Sequence, residues 1–482
     1  MAQHHMDRLS STDVSFLTNE SSTSHMHVGA IMIFEGPAPS YEDLLEHIRS
    51  RSHAVPRFRQ KLAYPPAQTG RPFWIDDPNL NLEYHVRHSA LPAPGSEEQL
   101  RRMAGRVFSQ QLDRSKPLWE LWLVQGLTRN RFALLTKTHH AVVDGVSGVD
   151  IATVLFDLNP VPEPAEPHES WAPSPEPSST TLLARGVEDL VSAPVRAVRR
   201  LEHAVQHPES AVKRVRDAVE AVSEVGWNFA NPAPKVPLNV EIGSHRRFVW
   251  VRSDLDHFKR IKNELGGTVN DVVLAVVTGA LRDWLRGRGI RTEGLELRAQ
   301  VPVSIRSSDE HGQLGNRLAV IRAPLPVYIA DPIRRLQSVS QAMTGLKQSK
   351  QALGAEVISR FNDFAPPTLL AQAARINFST RLFNLTVTNV PGPQVPLYVL
   401  GRELEDIFPI GFLPPNQGLF VAIMSYNGGV NFGLLADYDA MDDVDVIAQG
   451  IEGATAELVE AAAGAAEEMA PHTEESPLRR TI

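Results

Sequence analysis

Arg131 to Gly145 reads RFALLTKTHHAVVDG, and the fold is decided here. The first ten residues alternate. Phe132, Leu134, Thr136, Thr138 and His140 fall on one face of an extended chain, and Ala133, Leu135, Lys137 and His139 on the other. A strand over Arg131–His140 is expected, carrying two adjacent histidines that point in opposite directions. Such a pair does not converge on a metal ion. One ring can face a cleft while its neighbour packs or hydrogen-bonds within its own domain. A loop closing on Asp144-Gly145 follows, then a helix over Gly148–Leu158 with Val149, Ile151, Ala152, Leu155 and Leu158 as its core face. A histidine at a strand end, before a glycine turn, is well placed to be held rigid. Asp144 is placed to fix the loop, through an arginine or through backbone.

Outward from this stretch, strands and helices keep alternating. Strands are expected over His27–Phe34 and Leu121–Val124, with a helix over Tyr41–Ser50. Further on come strands over Arg247–Val251, Leu295–Ile305, Leu382–Thr388 and Leu419–Tyr426, and helices over Leu255–Glu264 and Thr268–Leu285. Thr268 reads as an N-cap with Asp271 three residues later, a variant capping box that puts Asn270 in the first helical turn. Mixed α/β structure in both halves is the expected class.

Two composition breaks divide the 482 residues. Between Asn159 and Pro177 seven of nineteen residues are proline, the mark of a stiff, extended linker. It passes into helix, where Leu183, Val187, Leu190, Val191, Val198, Leu201 and Val205 share one face, with a kink expected at Pro194 and an end at Pro208. The tail from about Ala470 is polar and expected to be disordered. The expected division is therefore 1–158, a crossover over 159–235, a second unit over 236–466 and a tail over 467–482.

Composition narrows the chemistry. The net charge is −8, so no global basic field for nucleic acid exists. The chain has no cysteine, which removes disulfides, thiolate nucleophiles and cysteine-ligated metal centres. No apolar run approaches the length of a spanning helix, and Val272–Leu281 is short and closes on Arg282 and Asp283. A cytoplasmic protein, soluble or peripherally bound to membrane, is expected.

HHAVVDG, residues 139 to 145, resembles the HHxxxDG signature of acyltransferases related to chloramphenicol acetyltransferase. Pro117-Leu118-Trp119, Asn270-Asp271, VPVSIR from Val301 to Arg306, Gly315-Asn316 and NVPGP from Asn389 to Pro393 follow in order. With LSSTDVSFL and HVGAIMIFEG near the N-terminus, they make the chain similar to the bacterial wax ester synthase/acyl-CoA:diacylglycerol acyltransferase family over about Leu9 to Ala463. The resemblance implies two chloramphenicol-acetyltransferase-like domains, each a mixed sheet flanked by helices, with the active-site channel between them. It implies an O-acyltransferase that moves a long-chain acyl group from acyl-CoA to diacylglycerol or to a long-chain alcohol. His140 would be the general base, with His139, Asp144 and Gly145 in support.

Asn270 is a candidate stabiliser of the reacting groups, with simple helix capping the competing reading. No cofactor and no metal are implied, acyl-CoA being a substrate. The family works at a membrane or lipid-inclusion surface, which implies peripheral attachment. Pro117-Leu118-Trp119 reads as packing and NVPGP as a rigid turn. His245, Arg246 and Arg247 read either as a phosphate-binding cluster or as solvated surface. Two other functions remain open: a condensation-type acyltransferase with another acceptor or a carrier-bound donor, and a non-catalytic lipid-droplet protein.

Overall fold

The computed structural model describes residues 6–143, 155–161, 171–187, 231–304, 318–348 and 379–469. The chain begins with β1 (Met6–Arg8), α1 (Ser11–Asn19), β2 (His27–Phe34), α2 (Tyr41–Arg51), β3 (Gln60–Ala63) and β4 (Phe73–Asp76). Next come α3 (Leu82–His85), β5 (Val86–Ala90), α4 (Glu97–Phe108), β6 (Trp119–Leu127), β7 (Arg131–His139) and α5 (His140–Val143). The later part holds β8 (Arg246–Asp254), α6 (Leu255–Leu265), α7 (Val269–Gly287), β9 (Leu297–Ser304), β10 (Leu318–Leu325) and α8 (Pro332–Gln348). It ends with β11 (Leu385–Pro391), β12 (Tyr398–Val399), β13 (Arg402–Ile410), β14 (Leu419–Tyr426), β15 (Gly429–Asp437) and α9 (Val444–Met469).

These strands form two six-stranded sheets, ordered β12-β13-β2-β7-β6-β5 and β10-β9-β11-β14-β15-β8, and a small sheet β1-β4-β3. In the first, β7 lies between β2 and β6, antiparallel to both, with His139 opposite His27 and Thr138 opposite Trp119. In the second, β11 runs parallel to both β9 and β14 among antiparallel neighbours. Its core is closed by α6, α7 and α9, and Val272 to Val277 of α7 are all fully buried. That explains the apolar run at Val272–Leu281: a helix buried on all sides is apolar all round. No single described helix is long and apolar enough to cross a membrane.

Several expectations need correction. The strand expected over Arg131–His140 stops at His139, and His140 opens the short helical turn α5. NVPGP is not only a turn, because Asn389, Val390 and Pro391 are the last residues of β11, paired with Ile423, Met424 and Ser425. Gly392 then passes so close to the Ser425 carbonyl that a Cβ would lie 2.3 Å from that oxygen. The division at residue 236 is one of chain order, since β12 and β13, from the later part, complete the first sheet against β2.

The described part of the proline-rich segment is extended and docked on the small sheet. Arg59 sits over the Trp171 ring, the Ser174 N–H donates to Asp76, and Lys61 pairs with Glu176. Leu182, in the helical residues 179–187, packs on Ala63, Phe73 and Ile75. Asp144, Gly145, residues 148–154 of the expected helix, the crossover beyond Val187 to residue 230, Arg306, Gly315-Asn316 and residues 470–482 lie outside the described residues. The expected tail is shorter at its start, because α9 runs on to Met469, and the expected 148–158 helix does not reach its end, where Asp157 bridges Tyr398 and Leu158 is exposed.

Candidate active site

Helix α1 starts where Ser10 caps it: the Ser10 hydroxyl accepts the Asp13 N–H at 3.0 Å, and the Asp13 carboxylate accepts the Ser10 N–H at 3.1 Å. This capping box fixes which residues α1 turns toward α5. Phe16 stacks on the His140 imidazole, with centroids 4.0 Å apart and planes 22° from parallel. Phe412, which follows β13, meets the same imidazole in a T-shaped contact at 5.5 Å. Met26, fully buried, takes a left-handed conformation (φ 51) that is costly for a residue with a side chain, and its carbonyl accepts the His140 N–H at 2.9 Å.

The two histidines occupy different chemistry. His139 is sealed at 1% exposure. Its Nδ1 accepts the Ala141 N–H at 3.1 Å, so in the neutral ring the proton sits on Nε2, 3.6 Å from the Glu20 carboxylate. His140 is half-buried, and its Nδ1 has no hydrogen-bond partner among the described residues. Burial, and secondarily the neighbouring His139, push its pKa down to about 4. That direction favours the neutral ring at physiological pH.

Beneath His139 lies a buried polar group that sequence reasoning missed. Glu20, just past α1, stands 3.5 Å from His27 and 3.6 Å from His139, and Arg114 donates to it. Burial opposes its charge, but the two imidazoles and then Arg114 outweigh burial and hold the carboxyl well below the usual range. Burial also lowers the pKa of His27 and His139, so they face the carboxylate as neutral rings. Lys137, on the same strand face, is pushed down to about 8 by burial and donates to the Val107 and Gln110 carbonyls at the end of α4. Glu20 closes the LSSTDVSFLTNE stretch and His27 opens HVGAIMIF. The available signal was two polar residues bracketing a strand that pairs with β7.

Asn270 stands in the first turn of α7, where the capping box uses Thr268 and Asp271 and leaves the Asn270 side chain out of the cap. Its Oδ1 accepts from Asn389 at 3.5 Å, so the Asn-Asp and NVPGP motifs meet. Among the described residues no hydrogen bond or ring contact joins Asn270 to His140.

Leu118 and Trp119 are buried. Trp119 donates to the Phe58 carbonyl and stacks between Phe58 and His85, and the Leu118 carbonyl accepts the His139 N–H, so this motif packs the strand that carries the histidines. The basic cluster at residues 245–247 is neither free nor simply solvated. Arg246 is buried and donates to the carbonyls of Gly243, His245 and Thr23, while Arg247 lies over Tyr438. Among the described residues no group of three His, Asp or Glu could hold a metal ion.

Comparison with known proteins places this arrangement. Residues 9–273 match the family model described as the wax ester synthase/diacylglycerol acyltransferase catalytic domain, and residues 314–459 match the C-terminal domain of the same family. A Mycobacterium tuberculosis protein designated probable diacylglycerol O-acyltransferase tgs1 is 32% identical over 464 residues, covering 94% of this chain and 96% of that protein. A solved wax ester synthase/diacylglycerol acyltransferase from Marinobacter aquaeolei VT8 superposes with a TM-score of 0.69 at 28% identity, covering 95% of this chain and all of that one. The starter condensation domain of rhizomide synthetase, solved with C8-CoA and Leu-SNAC, matches at 13% identity and a TM-score of 0.54. That likeness is one of fold alone.

Proposed function

The chain belongs to the wax ester synthase/diacylglycerol acyltransferase family, and from that premise we propose that it moves a long-chain acyl group from acyl-CoA to a lipid hydroxyl with His140 as general base. It is an O-acyltransferase. Diacylglycerol as acceptor gives triacylglycerol, and a long-chain alcohol gives a wax ester. The observation that carries the base assignment is the contrast at the end of β7: His139 uses its Nδ1 to hold backbone, whereas His140 is half-buried with Nδ1 unpartnered among the described residues.

The acceptor O–H gives its proton to His140 as its oxygen bonds to the thioester carbonyl carbon. The tetrahedral intermediate then re-forms the carbonyl and breaks the carbon–sulfur bond. The imidazolium returns its proton to the departing sulfur, which leaves CoA as a thiol and His140 neutral. No acyl-enzyme is required, in keeping with a chain that has no cysteine.

An alcohol is a far weaker acid than the His140 imidazolium, whose pKa burial lowers further, so proton transfer accompanies carbon–oxygen bond formation instead of preceding it. Asn270 is assigned to stabilising the reacting groups at the α7 N-terminus, and Asp144 and Gly145 to holding the loop after His140. His139 and Glu20 position that backbone. Lipid acceptors place the protein at a membrane or lipid-inclusion surface.

Purified protein incubated with labelled palmitoyl-CoA and either dioleoylglycerol or hexadecanol should yield a new ester on thin-layer chromatography. Lipid binding without ester from either acceptor would instead favour a non-catalytic lipid-droplet protein.

A further inference from the structure

Taking His140 as the base leaves a charge to account for. When the imidazole accepts the acceptor's proton it becomes a cation inside an apolar shell, and burial alone disfavours that cation. The groups around it offer little compensation. From β7, His139 is neutral and turned to the Ala141 backbone. From α1, Asp13 is tied to Ser10, and Glu20 beyond the helix is engaged with His27, His139 and Arg114. From the segment before β2, His25 lies against the Ser22 and Phe108 carbonyls. Phe412 is uncharged. Among the described residues no carboxylate pairs with His140.

What does face the ring is Phe16, nearly parallel at 4.0 Å. An aromatic face carries negative potential, and a cation within about 6 Å of its centroid is attracted to it, most strongly where water is excluded. We propose that Phe16 is a positioning residue for the acyl transfer: it fixes the plane of the His140 imidazole and stabilises the positive charge that ring acquires in the transition state. The geometry gives the LSSTDVSFL stretch its purpose. The Ser10–Asp13 capping box starts α1 at the residue that brings Phe16, less than one turn beyond Asp13, onto the imidazole. The attraction exists only once the proton has moved, so it acts on the transition state more than on bound substrate.

The test replaces Phe16 with mono-, di- and trifluorophenylalanine, rings of nearly constant shape whose faces become steadily less negative. Phe16→Leu, which keeps an apolar neighbour without the π face, ends the series. The expected result is a stepwise fall in kcat, about two- to thirtyfold overall, with KM for palmitoyl-CoA and the melting temperature of the fluorinated variants unchanged. A purely packing role would leave kcat flat across the fluorinated rings, and a flat series overturns the proposal. His140→Ala, assayed alongside, separates the two ideas. If it is inactive while the series is flat, the stacking role fails and the base assignment stands. If it turns over normally, the base assignment itself fails.

Discussion

His139 and His140 are chemically identical neighbours in different surroundings. His139 ends β7 opposite His27, buried over a carboxylate, with its lone pair committed to the Ala141 N–H. His140 begins α5, half-buried between Phe16 and Phe412, with its Nδ1 unpartnered among the described residues. The pair shows how a one-residue step at a strand end divides labour. His139 closes β7 and His140 opens α5, so the two rings turn to different partners.

Removing each ring should break the comparison unequally. The largest effect is on turnover: His140→Ala should lose about 10²–10⁴-fold in ester formation, the usual weight of a general base, with an unchanged melting temperature. His139→Ala should retain more turnover and melt lower, because it leaves Glu20 and the Ala141 N–H short of a partner.

Glu20→Gln sharpens the same contrast from the carboxylate side. Breaking a largely buried ion pair costs about 3 kcal/mol, the lower end of the usual range because Arg114 keeps 38% side-chain exposure. Urea unfolding should show that loss, with most of the remaining activity defect explained by it. A variant as stable as the parent would mean that Glu20 does not brace His139.

The histidines also set a pH dependence of stability. His27, His139 and His140 all have pKa values lowered by folding, so below about 6.5 the unfolded chain binds protons that the native chain refuses. Their contribution is complete above that pH and is lost as pH falls, at up to about 1.4 kcal/mol per pH unit for each ring. Glu20, with its carboxyl also held low, adds a loss of the same sign at lower pH. Chemical denaturation at pH 7 and pH 5 should show the decline, and equal stability at the two would contradict neutral burial. The smallest effect is expected at the start of α1, where Ser10→Ala removes one side of the capping box for about 1 kcal/mol, read as a small fall in melting temperature.

Much of this was legible in the chain. Alternation across Arg131–His139 and the apolar run of His27–Phe34 fixed two central strands of the first sheet almost to the residue. Thr268 and Asp271 announced the α7 cap. Other elements hid for identifiable reasons. In β13, RELEDIFPI, four of the first five residues are charged, and a register shift between Leu404 and Asp406 breaks the period of two. The β14–β15 hairpin turns on Asn427-Gly428, both at positive φ, a turn signal obscured in the sequence because Gly429 and Gly433 dilute the strand after it.

The site was only half readable. The different surroundings of the two histidines follow from the step between the end of β7 and the start of α5, but Glu20, Phe16 and Phe412 reach them from distant points in the chain. No local pattern records such a meeting. Arg246 misled for a related reason, since a basic run on paper becomes a buried brace once Thr23 and Gly243 present their carbonyls to it.

The measurement that bears most directly on this account is the pH dependence of kcat/KM for ester formation from pH 4.5 to 8, with samples returned to pH 7 to confirm that activity recovers. A desolvated, neutral His140 acting as base should hold kcat/KM level through pH 6.5 and let it fall only as pH approaches the ring's value of about 4. A reversible half-loss centred at pH 6.5, the behaviour of a solvated imidazole, would contradict it.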